Sequence, residues 1–398
     1  MSDLLELEDA QARLLRLAPP ALIENHAVSD CLNHYLAEPL FAARTQPAIA
    51  LSVMDGYAVG TDMRDDFRLV GVSAAGRPYG KSLAADEAVR ISTGAVVPTG
   101  TRSVWPQEIC FADERVVTLC DRTAIPSDTF IRHAGSDFRR HDRLLEAGDW
   151  IGPGAIALAI MAGQSTLPIH RKPAIAIVQA GDELVNEQDD LAPYQVPACN
   201  GAMISTMLHT LPCSVRLLPI SLDKLDALVQ TFSACDDADV IVTLGGASVG
   251  DHDLVREALT HWGAMHEFWR VAIKPGKPLL VAKRRAQVVL GLPGNPASAF
   301  VTAFLFLLPL VRRMLGAANP FPNSMQLPLS CDLPTGGSRR EFLRARIESG
   351  ALQLAGSQHS SAVRTLARAT HLIDRASYAS CVKAGSTVKC YSLFHGIA

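Results

Sequence analysis

The sequence predicts a multidomain α/β fold, and three patterns predict it. Residues 173–178, 238–244 and 288–292 are short apolar runs, each ending in a polar turn, with helical patterns between and after them. Strands alternating with helices mean βαβ units and a doubly wound parallel sheet covered on both faces. Residues 47–137 instead break every few positions at Gly or Pro and carry short β-type runs, which reads as a small all-β domain. After Pro320-Phe321-Pro322 the chain is β-like and turn-punctuated to its end.

The elements follow in order. Residues 4–17 repeat apolar side chains at helical spacing and stop at Pro19-Pro20, so a helix is expected there. A second helical stretch is expected at 27–37. In the turn-rich region, 66–72 and 115–119 read as strands between Gly56, Gly60, Gly76, Gly80, Gly94 and Gly100. Ala-rich helical character returns at 154–163 and is expected to pack back on the N-terminal helices. Helices at 201–211, 224–234, 254–262 and 297–315 complete the α/β alternation. There is no repeat of fixed period and no low-complexity tract.

Composition narrows the function classes. A chain of 398 residues holds about two to four domains at roughly 150 residues each. Lys plus Arg number 37 against 40 Asp plus Glu, a formal net charge of −3, which excludes a strongly basic nucleic-acid footprint. Aromatic residues are only 6%, against base-stacking platforms. No nucleic-acid partner is expected. The nine cysteines form no C-x-x-C pair and are odd in number, so reduced thiols in a cytoplasmic protein fit better than a zinc knuckle or a disulfide framework. The N-terminus is acidic where an export signal would be basic. The most apolar stretch, 299–311, contains Pro309 and is shorter than the roughly 20 residues of a membrane span. It reads as a buried core helix, and no membrane partner is expected.

Ligands in a doubly wound sheet bind at the carboxyl ends of its strands. Any one Gly-rich turn there would merely close a tight connection, but here all three strand ends carry polar turns. Pro293-Gly294-Asn295-Pro296 opens a helix, with Asn295 suited to the N-cap and Pro296 to the first helical position. The N–H groups and dipole of such a terminus favour an anion, although an ordinary capped helix has the same residues. Lys274-Pro275-Gly276-Lys277-Pro278 puts two ammonium groups on a proline-stiffened loop, suited to phosphate. In Gly245-Gly246-Ala247-Ser248-Val249-Gly250 the glycines let the backbone approach a ligand and Ser248 adds a hydroxyl. Asp182, Glu183 and Asp253 supply carboxylates for Mg2+; Asp251 is equally suited to capping the next helix. The same segment satisfies G-x-S-x-G, which would make Ser248 a hydrolase nucleophile. The context is poor: Ser248 lies four residues past Leu244, and no H-G-G-G segment supplies an oxyanion hole. The residues by themselves lead to a multidomain anion-binding enzyme of nucleotide or phosphate type.

Taken together, the blocks resemble the molybdopterin molybdenumtransferase family, the MoeA type shared with the gephyrin E domain. Met54-Asp55-Gly56-Tyr57-Ala58 resembles its M-D-G-Y-A, and Arg90-Ile91 with Thr93-Gly94-Ala95 its R-I-x-T-G-A. Gly181-Asp182-Glu183-Leu184 resembles its G-D-E-L, and Gly245-Gly246 with Ser248-Val249-Gly250 its G-G-x-S-x-G. The segments 272–278 and 291–296 resemble its two most recognisable blocks, and all six stand in the family's order.

The resemblance implies a homodimer of four-domain subunits. A helical dimerisation domain (1–42 and 138–168) would be split by the inserted β domain (43–137). A molybdopterin-binding α/β domain (169–318) and a C-terminal β domain (319–398) would follow. The implied active site lies between the α/β domain of one subunit and the β domain of the other. The implied reaction takes adenylylated molybdopterin, molybdate and Mg2+, releases AMP and leaves molybdenum on the dithiolene. The expected partners are a molybdopterin adenylyltransferase and molybdoenzyme apoproteins or their chaperones.

By the same resemblance, Asp55, Thr93, Asp137, Asp182 and Glu183 are the expected catalytic residues. Gly245, Gly246, Ser248, Gly250, Lys274, Lys277, Pro293, Gly294, Asn295 and Arg344 are expected to bind the cofactor, and Asp182, Glu183 and Asp253 the metal. The sequence also departs from the family pattern. Ala50-Leu51 replace an acidic residue and Asn, Ser136 a Glu, Ala180 a Thr, and Ala198 the carboxylate of D-x-N. These losses leave a second reading open, a paralogue that binds the cofactor without inserting metal.

Overall fold

The computed structural model describes residues 4–19, 22–120, 130–186, 191–245 and 254–393. The sheet predicted by the three apolar runs is present. Ser214–Leu217, Ala174–Gln179, Val240–Leu244, Gln287–Leu292, Leu280–Arg284 and Met265–Trp269 lie side by side in that order. The first four are parallel, Leu280–Arg284 runs antiparallel to them, and Met265–Trp269 pairs antiparallel with Leu280–Arg284.

Alternation along the strands splits the core in two. Ile175 and Ile177 face one cluster with Ile204, Leu208, Val242 and Phe304. Ala176 and Val178 face the other, with Leu228, Phe232, Val255 and Leu259. These clusters place α3 (Cys199–Leu208) and the helical run 296–314 on one face, and α4 (Leu225–Ser233) and α5 (Leu254–His261) on the opposite face. The sheet is doubly wound, as expected. Ile204 is fully buried at 0% exposure. Ile204→Val is therefore expected to cost about 1 kcal/mol, measurable by urea denaturation.

The apolar stretch ending this domain is one helical run from Pro296 to Met314. It comprises α6 (Pro296–Thr302), a π-helical stretch (Ala303–Leu307) and α7 (Leu308–Met314). At 19 residues it is long and apolar enough to cross a membrane, but 83% of it is buried against the sheet, which makes it a core helix.

The inserted β region is a six-stranded sheet in the order Ser103–Pro106, Gly56–Val59, Glu87–Ile91, Asp66–Ser73, Val116–Leu119, Cys110–Ala112. Phe67 and Trp105 meet edge to face in its core, with centroids 5.2 Å apart. The C-terminal sheet runs Ile273–Lys274, Arg340–Glu348, His371–Arg375, Thr387–Ser392, Ser324–Pro328. Its edge strand is thus borrowed from the lysine loop of the α/β domain.

The N-terminal part differs from expectation. The first helix forms as α1 (Leu7–Arg16), but Leu7, Ala10 and Leu14 pack into the α/β core. Residues 27–37 are not a helix. Ile23–Ala27 is a strand paired with Thr166–His170, and a single 3-10 turn, Val28–Asp30, follows it. Asn33 then takes a positive φ of 66°, which no helix accommodates. The backbone donors here bond across the fold instead: Asn33 to Ile151, Leu36 to Asp149 and Ala37 to Pro168. The expected helix at 154–163 is present as α2 (Pro153–Met161). Its partners are Val28, Leu36 and Leu40 rather than N-terminal helices.

Candidate active site

The three parallel strand ends stand level, with Gln179 opposite Leu244 and Leu244 opposite Leu292. Their turns therefore open at one height, and a cavity of about 780 Å3 lies across them. Glu183, Gly245, Pro293, Gly294 and Asn295 line it. Gly245 takes φ +92°, and a Cβ there would sit 2.7 Å from the carbonyl oxygen of Ala180. A Cβ on Gly294 would lie 3.7 Å from the Cα of Gly245. The floor is thus two apposed backbones that only glycine at 245 permits.

Asn295 has the extended backbone of an N-cap, and its carbonyl accepts the Ala299 N–H at 2.9 Å. Its side chain makes no capping bond, contrary to the expectation, and the residue lines the cavity. Pro296 occupies the first helical turn as expected. The Ala297 N–H donates to the Ser360 carbonyl at 3.0 Å, so a C-terminal loop takes one donor of this helix end. The Asn200 amide donates to the Gly294 carbonyl at 2.6 Å, tying α3 to the same turn.

Glu183 lines the cavity, its carboxylate folded back over Gly181. The Asp182 carboxylate accepts the Asp223 N–H at 3.1 Å. Burial, together with the negative charges of Asp182 and Glu183, pushes the Asp223 carboxyl above its ordinary range. Among the described residues no three His, Cys, Asp or Glu side chains form a metal-holding group. Asp253, the third expected metal ligand, lies outside the described residues, as do Gly246, Ser248, Gly250 and Asp251.

A second cavity of about 360 Å3 adjoins the first and shares Pro278, Pro293 and Asn295 with it. Lys274, Lys277, Arg339 and His359 line it, so this end of the groove is cationic. The Lys274 ammonium donates to Glu341 Oε1 at 3.0 Å. Arg344 is not in the groove. At 0% exposure, its guanidinium donates to the carbonyls of Ser357 (3.3 Å) and His359 (3.0 Å). Burial lowers its proton affinity. Arg344 therefore shapes the wall from behind, because its strand lies beneath the loop whose Gln358, His359 and Ser360 face the cavity.

The β-sheet candidates form a separate constellation. Asp55 Oδ1 accepts the Thr93 N–H at 2.6 Å and its hydroxyl at 3.1 Å, so the two expected residues are joined. Gly56 is required beside them, since a Cβ would collide with the Trp105 carbonyl. Asp137 lies 3.6 Å from Arg132, whose strand pairs with Leu51–Ser52. Among the described residues no hydrogen bond or ion pair joins Asp55, Thr93 or Asp137 to the groove of the same chain.

Sequence reasoning missed Asn200, Asp223, Arg339, Gln358, His359 and Ser360. The last three had a readable signal, the polar run Ser357-Gln358-His359-Ser360-Ser361 after Gly356. The first cavity also contains Ala198 and Cys199, the position where the family pattern has a carboxylate.

Comparison with known proteins points the same way. Residues 5–163 match the family described as the MoeA N-terminal region (domain I and II), and residues 176–313 a probable molybdopterin binding domain. A molybdopterin molybdenumtransferase of Haemophilus influenzae is 32% identical over 318 residues, covering 79% of this chain and 78% of that one. One from Staphylococcus aureus is 30% identical over 375 residues, covering 91% and 89%. Two solved molybdopterin biosynthesis MoeA proteins from Pyrococcus horikoshii superpose with TM-scores of 0.79 and 0.83. They are 23% and 19% identical, cover 99% and 98% of this chain and are themselves fully covered, so they show the fold.

Proposed function

The chain belongs to the molybdopterin molybdenumtransferase family of molybdenum cofactor biosynthesis, and on that premise we propose that it transfers molybdenum from molybdate to adenylylated molybdopterin with release of AMP. The observation that carries this reading is the continuous groove. Its roomy end, walled by glycine backbone and Asn295, suits a pterin. Its cationic end, with Lys274, Lys277, Arg339 and His359, suits phosphate or molybdate oxygens. The chain's residues bind and orient the anion there, which lowers the entropic part of the barrier.

Mg2+ fits the acidic end. Burial, with Asp182 and Glu183 beside it, pushes the Asp223 carboxyl above its ordinary range, and a divalent cation there would relieve the crowding of negative charge. Asp182 and Glu183 would hold the ion, which needs only one or two carboxylates alongside phosphate oxygens and supplies charge neutralisation there. Asp55 contributes a carboxylate whose Oδ1 is committed to Thr93, leaving Oδ2 to accept a proton or a hydrogen bond. That none of Asp55, Thr93 and Asp137 is joined to the groove of its own chain by a hydrogen bond or ion pair among the described residues supports a homodimer in which they serve the partner's groove. A molybdopterin adenylyltransferase would supply the substrate, and molybdoenzyme apoproteins or their chaperones would take the product.

Incubation with adenylylated molybdopterin and Mg2+ is expected to release AMP only when molybdate is present. A second reading, a cofactor-binding paralogue, is favoured by Ala198 and Cys199 lining the cavity where a carboxylate is absent. Tight binding without AMP release would establish that reading and refute the first.

A further inference from the structure

We propose that Glu341 is a positioning residue that fixes the Lys274 ammonium at the cationic end of the groove. Lys274, Glu341 and Arg375 stand abreast on three neighbouring strands. Lys274 is directly opposite Glu341 in a parallel pair, and Glu341 directly opposite Arg375 in an antiparallel one. Residues so opposed share a sheet face. Each Glu341 oxygen takes one cation: Oε1 the Lys274 ammonium at 3.0 Å, Oε2 the Arg375 guanidinium at 3.0 Å.

Burial falls steeply along this row. The Arg375 and Glu341 side chains are 5% and 8% exposed, while Lys274 is 56% exposed. Arg375 is itself anchored by the carbonyls of Pro334 (2.6 Å) and Ser380 (3.3 Å). The carboxylate is thus immobile, and the lysine is the only member that reaches the cavity.

A lysine is a point charge on a flexible four-carbon stem, and loses binding free energy whenever its tip must be localised by the ligand. Here the C-terminal domain has localised it beforehand. Lys277, on the same loop, has no ion pair among the described residues and serves as the internal reference. The proposal rests on the reading of this cavity as an anion site, and its test separates the two.

The experiment labels the folded full-length protein with an amine-reactive reagent and compares Lys274 with Lys277 by mass spectrometry, with and without inorganic phosphate. In Glu341→Gln, Lys274 loses its carboxylate partner, so its amine is freed from the contact that holds it. Its labelling relative to Lys277 is expected to rise about 3-fold or more, and protection by phosphate to need about 5-fold more of it. In the AMP-release assay, kcat is expected to fall about 10-fold with KM within about 3-fold. Glu341→Asp, which keeps the charge and is the variant to use should the Gln protein misfold, is expected to fall between the two. An unchanged labelling ratio and phosphate protection in a folded variant would overturn the proposal, and so would a raised ratio with unchanged kcat. If the unsubstituted protein releases no AMP, the reaction proposed above falls, and phosphate protection of Lys274 alone decides the positioning.

Discussion

Asp55→Asn is expected to lower molybdate-dependent AMP release by about 100-fold or more, with the melting temperature held within about 2 °C. The substitution is chosen from the geometry. Asp55 looks in sequence like a plain Asp-Gly turn residue, which alanine would replace at little cost to stability. The structure shows its Oδ1 accepting both the N–H and the hydroxyl of Thr93. Alanine would therefore release the 92–95 loop as well as remove the carboxylate, and a loss of activity would be ambiguous. Asparagine keeps an acceptor at Oδ1 and so keeps Thr93 in place, while Oδ2 becomes an amide that donates and bears no charge. The exposed position makes the isosteric change nearly neutral for folding. A folded Asn variant with full turnover would remove Asp55 from the reaction. Thr93→Val, which deletes only the weaker hydroxyl bond, should sit between wild type and the Asn variant.

What the sequence disclosed depended on whether the deciding interaction was local. The central strands were legible because strands buried on both faces read as near-continuous apolar runs, as at 288–292. The edge strand Ser214–Leu217 and the antiparallel Met265–Trp269 were not, since partial exposure leaves them no apolar run. The helix expected at 27–37 failed for a related reason: its apolar spacing is helical, but the partners at Ile151, Asp149 and Pro168 lie over a hundred residues away. In the site, Gly245 announced itself through a backbone demand that a single residue imposes, and Lys274 and Lys277 through the prolines that frame them. Arg344 did not reveal its burial, because an arginine in a strand reads alike whether its guanidinium meets ligand or backbone carbonyls. The Lys274–Glu341–Arg375 row was invisible for the same reason, since strand register creates it and no sequence spacing records it.

Asp374→Ala is expected to destabilise the protein by about 3–5 kcal/mol at pH 7, the usual cost of removing one partner from a buried ion pair. Asp374, 2% exposed in its side chain, takes the Arg340 guanidinium in a two-pronged contact with both bonds at 2.7 Å. Tyr391 and Lys389 add bonds at 3.0 and 3.3 Å. Arg340 reaches on to Glu8 in α1, so the cluster joins the N-terminal helix to the C-terminal sheet beside the strand that carries Glu341. Removal would leave Arg340 with Glu8 alone. Acid provides the second half of the test. Burial raises the Asp374 carboxyl, but Arg340 and Lys389 more than offset this and hold it below its usual range. A carboxylate held low in the folded state stabilises above its unfolded value of about 3.9 and ceases to do so as pH falls through the folded value. The gap between wild type and Asp374→Ala in urea denaturation should therefore be full above about pH 5 and narrow progressively as pH falls below the unfolded value of about 3.9. A gap unchanged between pH 7 and pH 3 would mean that the aspartate contributes through packing and not through its charge.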